Sequence, residues 1–266
     1  MIGTVNSLSG PCERPLDTHE EESDRSVAGN DVLDADIICP KETGWRRSSA
    51  MTDYSKARKR MVQHQIAARG VRSEKVLNAM RKVPRELFIP EGHRLFAYDD
   101  GPLPIGNGQT ISQPYIVAYM TEALSLDGGE KVLEIGTGSG YAAAILAEIA
   151  AEVYTIERLE GLATMAHKVL DDLGYVNVYV RQGDGTLGWP EHAPFDAIVV
   201  TAGGPDVPDT LKHQLKIGGH LVIPVGKTTW YQELVRVTRV AEAEFATEDL
   251  APVRFVPLIG EEGWDS

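Results

Sequence analysis

From Tyr54 the chain takes on a helical rhythm: Met61, Gln65 and Ala68, with the apolar Val62 and Ile66 beside them, sit three or four apart. Gly70 predicts the end of that helix. Ser73 is an N-cap for a second one, which carries Val76, Leu77, Met80 and Val83 and stops at Pro84. Residues 98–112 lose the rhythm. Gly101, Gly106, Gly108, Pro102 and Pro104 punctuate them, so they read as a loop, of a length that is usually functional or disordered. A helix follows from about Gln113 to Leu124.

Beyond it, short apolar runs alternate with helical stretches. Strands are expected at 131–135, 152–156, 176–181, 195–200 and 220–225, and helices at 139–150, 159–173 and 208–214. Strands and helices in alternation indicate βαβ units and a parallel sheet. After Val225 the period falls to two. Glu233–Val240 alternates and Val253–Leu258 is strand-like, which predicts a β-rich closure of the sheet. The expected organisation is a helical part over 51–112, a core over 113–225 and C-terminal strands over 226–266.

Residues 1–50 lie outside this pattern. They hold ten acidic and five basic residues and no apolar period, so they are expected to be a disordered acidic extension. Met51 opens a segment that reads like a natural chain start. The whole chain of 266 residues has 39 acidic against 26 basic side chains, a formal charge of −13. That charge argues against nucleic acid and anionic membrane as partners. The basic cluster Lys56, Arg58, Lys59, Arg60 reads as a solvated helix face. Cysteine occurs only at 12 and 39, which excludes a disulfide-stapled body or a cysteine-held zinc. No secretory signal is visible, and the most apolar stretch, 141–156, is short and broken by Glu148 and Glu152. A cytoplasmic location is expected.

The candidate chemistry centres on Val132-Leu133-Glu134-Ile135-Gly136-Thr137-Gly138-Ser139-Gly140, between a strand and a helix. Glycines there permit a tight turn and the close approach of a ligand. The third glycine comes one place too early for a dinucleotide fingerprint, and Glu134 at the strand end would sit badly beside a diphosphate. An acid there suits a cation. S-adenosylmethionine is such a ligand, with a sulfonium, an amine and no phosphate. Glu157 closes the next strand, 23 residues on, where folds of this kind place the acid that binds ribose hydroxyls. Asp184-Gly185 follows the third strand and offers an acceptor for an adenine amino group. Gly136, Thr137, Gly138 and, at the end of the fourth strand, Thr201 complete the candidate cofactor set. The seven histidines are scattered and suggest neither a triad nor a metal site. The Asp99-Asp100 pair reads as a loop element.

Several segments together carry a resemblance: Gln-Thr-Ile-Ser-Gln-Pro at 109–114, Leu-Glu-Ile-Gly-Thr-Gly-Ser-Gly-Tyr at 133–141, Phe-Asp-Ala-Ile-Val-Val-Thr-Ala at 195–202, Leu-Lys-Ile-Gly-Gly-His-Leu-Val-Ile-Pro-Val-Gly at 215–226 and Val-Arg-Phe-Val-Pro-Leu at 253–258. The chain resembles the protein-L-isoaspartate O-methyltransferases over about residues 51–264. The glycine motif alone gives only the wider methyltransferase superfamily; the segment around Ser112 and the C-terminal Val-Pro-Leu are specific to this family. The resemblance implies a class I S-adenosylmethionine-dependent methyltransferase sandwich of the Rossmann-like α/β kind. It implies methyl transfer from S-adenosyl-L-methionine to the free α-carboxyl of isoaspartyl residues in damaged proteins and peptides. The ester then collapses to a succinimide, which hydrolyses in part to normal aspartyl. It also implies that Ser112 is the active-site residue, and that Gln113, Pro114, Tyr115, Ile116, Glu134, Gly136, Glu157, Asp184 and Gly185 surround the cofactor. Two departures stand out: Gly203-Gly204, where many members have Ala or Pro, and the ending Ile259-Gly260-Glu261-Glu262-Gly263.

On the residues alone Ser112 has a second reading, as the N-cap of the helix that follows. The rival functions are methyl transfer to RNA or a small molecule, and a non-catalytic sensor of damaged chains. A substrate peptide is expected to be read mainly through its backbone; Val253–Val256 reads either as a strand to which it adds or as a plain core strand.

Overall fold

The structure, a computed structural model, describes residues 53–265. The expectation for residues 1–50 lies outside them. Helix α1 (Tyr54–Met61) is capped by the Asp53 side chain and runs on through one wide and one tight turn to Arg69. Gly70, at φ +106°, ends it in a left-handed conformation that costs a glycine little. Helix α2 (Glu74–Lys82) has Ser73 as its cap and buries Val76, Leu77, Ala79 and Met80.

The expected loop at 98–112 holds structure. Strands β1 (Leu103–Gly106) and β2 (Gln109–Ile111) form a hairpin around Asn107-Gly108, whose φ values of +52° and +71° suit a tight hairpin turn. Helix α3 (Pro114–Ala123) follows, with proline at its first position, where no amide bond is lost.

The chain then alternates as expected: β3 (Lys131–Ile135), α4 (Tyr141–Ala147), β4 (Glu152–Glu157), α5 (Glu160–Asp172), β5 (Val178–Gln182), β6 (Phe195–Val200), α6 (Asp209–Gln214) and β7 (Leu215–Thr228). The sheet continues through β8 (Tyr231–Ala241) and β9 (Glu244–Val253), in the spatial order β5-β4-β3-β6-β7-β8-β9. The first five strands in that order are parallel, and β8 and β9 are antiparallel. This is the α/β sandwich expected, with two corrections at its end. Strand β7 is fourteen residues long, and the last strand is β9, which stops at Val253 where the expected one began.

Each face of the sheet buries its own core. Val132, Ala197, Val199 and Val222 face α2, α3 and α4 with Met80, Val117, Ala144 and Ile145. Leu133, Ile135, Ile156, Ile198 and Leu221 pack with Leu211 of α6 and Leu215 at the start of β7. Because β3 is covered on both sides, Glu134 near its carboxyl end is fully buried. The chain runs outward from β3 through β4 to β5, then returns to place β6 on the other side of β3. In such sheets ligands bind at that reversal, beyond the carboxyl ends of the strands. Here those ends carry Gly136 and Thr201.

Candidate active site

The loop after β3 and the end of β6 are locked together. Thr201 donates from its backbone to the Ile135 carbonyl at 2.9 Å and from Oγ1 to the Gly136 carbonyl at 2.7 Å. A Cβ on residue 136 would lie 2.5 Å from Thr201 Oγ1, so only glycine allows this approach.

Within the loop, a chain of hydroxyls leads to Glu134. Thr155 Oγ1 donates to Glu134 Oε2 at 2.6 Å, and Thr137 Oγ1 lies 2.6 Å from Thr155 Oγ1. A hydroxyl has one proton to give, so Thr137 is the donor to Thr155. The other oxygen of Glu134, Oε1, is buried without a hydrogen-bond partner. Burial pushes the Glu134 carboxyl up to about 8; the Thr155 bond opposes the rise and the nearby Glu157 charge adds to it. A buried acceptor left open in a ligand-facing cavity fits a cationic donor group. Glu157 is also buried and accepts from the backbone of Gly138 at 2.8 Å and of Leu159 at 3.0 Å.

The expected residues fall in three adjoining places. Glu134, Gly136, Thr137, Gly138, Thr201 and Ser112 line one cavity. Glu157 and Gly185 line a cleft beside it, again with Gly136, Gly138 and Thr201. Gln113, Tyr115 and Ile116 line neither; with Ser112 and Thr201 they line an outer groove of about 950 Å³. Pro114 is buried at the start of α3, and Asp184 lies under the C-terminal segment. Asp184 Oδ1 accepts from the Thr186 backbone at 2.9 Å and Oδ2 from the Glu261 backbone at 2.8 Å. Thr110, Ser112 and Thr201 therefore face different compartments at once: Ser112 borders both the Glu134 cavity and the outer groove.

Ser112 is not a helix cap. The N-cap position of α3 belongs to Gln113, and among the described residues the Ser112 hydroxyl has no hydrogen-bond partner. What fixes Ser112 is its carbonyl, which accepts from Arg85 Nη2 at 2.8 Å. Arg85 is wholly buried, also donates from Nε to the Ala97 carbonyl at 2.8 Å, and faces the Tyr141 ring at 4.8 Å. It makes no ion pair among the described residues, and its Nη1 has no partner. Burial pulls its pKa below the usual arginine value, with Tyr141 opposing. Asp100 accepts from Gln113 Nε2 at 2.7 Å and pairs with Arg69 at 3.2 Å, so it braces the start of α3.

Sequence reasoning did not single out Arg85, Thr155 or Gln232. Gln232 is buried and holds Phe255 by both main-chain groups, donating to its carbonyl at 3.2 Å and accepting from its amide at 2.7 Å. Those groups of Phe255 are thereby turned inward, so strand addition along Val253–Val256 would have to use the main-chain groups of its neighbours. Gly203 presses on the same amide: a Cβ there would come within 2.3 Å of it, a physical reason for glycine at this departure from the family pattern. Among the described residues, no helix is long and apolar enough to cross a membrane, and no three His, Cys, Asp or Glu side chains gather as a metal site requires.

The family model for protein-L-isoaspartate(D-aspartate) O-methyltransferase matches residues 56–263. The chain belongs to that family. It is 63% identical over 219 residues to protein-L-isoaspartate O-methyltransferase 1 of Rhodopseudomonas palustris (strain HaA2), covering 82% of this chain and 89% of the relative. It is 62% identical over 204 residues to the enzyme of the same name from Geotalea uraniireducens (strain Rf4), covering 77% and 93%. A solved protein-L-isoaspartate O-methyltransferase superposes with a TM-score of 0.71 at 30% identity, over 77% of this chain and 67% of that one. A Plasmodium falciparum protein, solved with S-adenosyl-L-homocysteine, shares the fold at a TM-score of 0.65 and 24% identity, over 76% and 98%.

Proposed function

We propose that this chain esterifies the free α-carboxyl of L-isoaspartyl residues in proteins and peptides, with S-adenosyl-L-methionine as methyl donor. The observation that carries the reading is the position of Ser112, whose residue borders the Glu134 cavity on one side and the open groove on the other. A small cationic donor held in the first and a peptide lying in the second meet there. Family membership over 56–263 supports the same reaction.

The donor, when bound, supplies a methyl group made electrophilic by a positive sulfur. The rest is positioning. Glu134 offers its unpaired oxygen, and the Thr137–Thr155 relay points a donor at the other oxygen, which favours the ionised form. Glu157 and Gly185 hold the neutral, hydroxyl-bearing part of the donor; Gly136, Gly138 and Thr201 shape the floor between. Gln113, Tyr115 and Ile116 wall the peptide side, and Asp184 fixes the C-terminal segment over the cleft. The peptide's carboxyl has a reference pKa below about 4, so it arrives ionised and needs no base. Ser112 donates a hydrogen bond that aims one carboxylate oxygen, with its carbonyl clamped by Arg85. Alignment and exclusion of water then account for the rate.

The test is incubation with methyl-labelled donor and matched peptides that differ only in isoaspartate or aspartate. Base-labile label on the isoaspartyl peptide alone is expected. Equal labelling of both, or of neither, would refute the reading.

A further inference from the structure

The outer groove differs in charge from the rest of the molecule. Among the described residues no acidic side chain lines it, whereas Arg69 and Arg254 do. The two arginines are not equivalent. Arg69 is compensated by Asp100 at 3.2 Å and rests on the Tyr115 ring at 3.6 Å. Arg254 has no acidic partner among the described residues. Its guanidinium carbon sits 4.3 Å from the centre of the Trp230 ring, and Trp230, in the β7–β8 turn, is itself 70% exposed.

Two features of this pair point to a ligand. A large indole at a turn tip, exposed beside a concave surface, is the residue type that anchors protein contacts. Stacking on it holds the guanidinium plane and lowers the entropy lost when the fork grips a carboxylate. Arg254 is exposed and lines the groove that leads to Ser112.

We propose that Trp230 and Arg254 form a specificity subsite for an acidic side chain flanking the isoaspartyl residue in the substrate chain. The proposal rests on the methyl-transfer reading and deepens it. In a chain of net charge −13, this rim offers an acidic flank a local positive charge. Arg254 attracts it there and fixes its carboxylate in two-pronged contact. Its neighbour Phe255 is tied back to Gln232, so the backbone that carries Arg254 is anchored. The subsite therefore selects among damaged sites by their sequence context, on top of the common isoaspartyl group.

The experiment uses the full chain and a set of isoaspartyl peptides. In one member every flanking position is Ala; in the others Glu replaces Ala at one of the three positions on either side. The readout is the ratio of kcat/KM for each Glu peptide to that for the Ala peptide. A ratio of about five is expected at one or more positions, the upper end for a solvent-exposed ion pair, carried by KM and shrinking at high salt. The ratio falls to about one in Arg254→Ala, below one in Arg254→Glu, and to an intermediate value in Trp230→Ala. If the wild-type protein methylates the Ala peptide yet shows no preference for Glu, or if the preference survives Arg254→Ala, the subsite is refuted. If the Ala peptide itself is not methylated, the functional reading fails instead.

Discussion

The two sides of Ser112 are built on opposite plans. On the inner side, Glu134 and Glu157 are buried carboxylates with no paired cation among the described residues. On the outer side, the groove has two arginines and no acid. A buried carboxylate is costly unless something compensates it, and an open arginine costs almost nothing in water. The inner side is thus a site whose energy is completed by a ligand, and the outer side one that selects among ligands without needing any. On the proposed reading, the first binds one small cation. The second reads many chains weakly.

Ser112 is where the two plans meet, so its hydroxyl gives the sharpest test. Ser112→Ala removes a donor aimed at the reacting carboxylate and is expected to lower kcat by roughly 100-fold, the scale for losing one such donor. Donor binding by calorimetry should stay within about twofold of wild type. A comparable loss of donor affinity would mean that Ser112 belongs to the inner side alone.

Glu134→Gln breaks the inner plan. Hydrogen bonds to a charged group contribute about 1.5–3 kcal/mol, so donor affinity should fall by roughly 10- to 100-fold. The preference of the outer groove among peptides should persist. A loss of peptide discrimination equal to the loss of donor affinity would show that the two sides are not separable.

Arg85→Met tests whether the boundary between them is held from behind. It leaves the Ser112 and Ala97 carbonyls without their donor and is expected to cost about 2–3 kcal/mol in chemical denaturation. Because Ser112 moves, kcat should drop further than donor affinity does. Arg85→Lys, which restores one donor and the charge, should recover part of both. An unchanged kcat in a folded Arg85→Met protein would leave Arg85 with a purely structural role.

These residues also mark where sequence reading ran out. The strand–helix rhythm was legible because both faces of β3, β4 and β6 are buried and leave long apolar runs. The glycine loop and the acids at the strand ends were legible because each stands at a turn. The β1–β2 hairpin was not, although Asn107-Gly108 is a hairpin signal, because the glycines and prolines around it read as loop. Strand β9 was missed for a different reason. It is an edge strand carrying Glu244, Thr247, Glu248 and Asp249, mostly exposed, and it is a strand because β8 pairs with it. Arg85, Thr155 and Gln232 were invisible because their partners lie 27, 21 and 23 residues away, and a polar residue in an apolar run does not announce which group it will meet.

The test most specific to the inner plan is read in pH. With its carboxyl raised from 4.5 to about 8, Glu134 is mostly protonated in the donor-free protein at neutral pH. The folded state therefore holds a proton that the unfolded chain has released. Stability from this group is full below about 4.5 and is lost as pH rises toward 8, at up to about 1.4 kcal/mol per unit. Melting of the donor-free protein should show that decline, and Glu134→Gln should lack it. A cationic donor binds the ionised form, so its dissociation constant should fall as pH rises from 6 and level off above about 8. Thr155→Val removes the bond that holds the carboxyl down, so the level region should begin at a higher pH, with affinity weakened a few-fold at pH 7 and equal to wild type once that level is reached. If affinity in Thr155→Val were lower by the same factor at every pH, the hydroxyl would be acting on the shape of the cavity and not on the charge of Glu134.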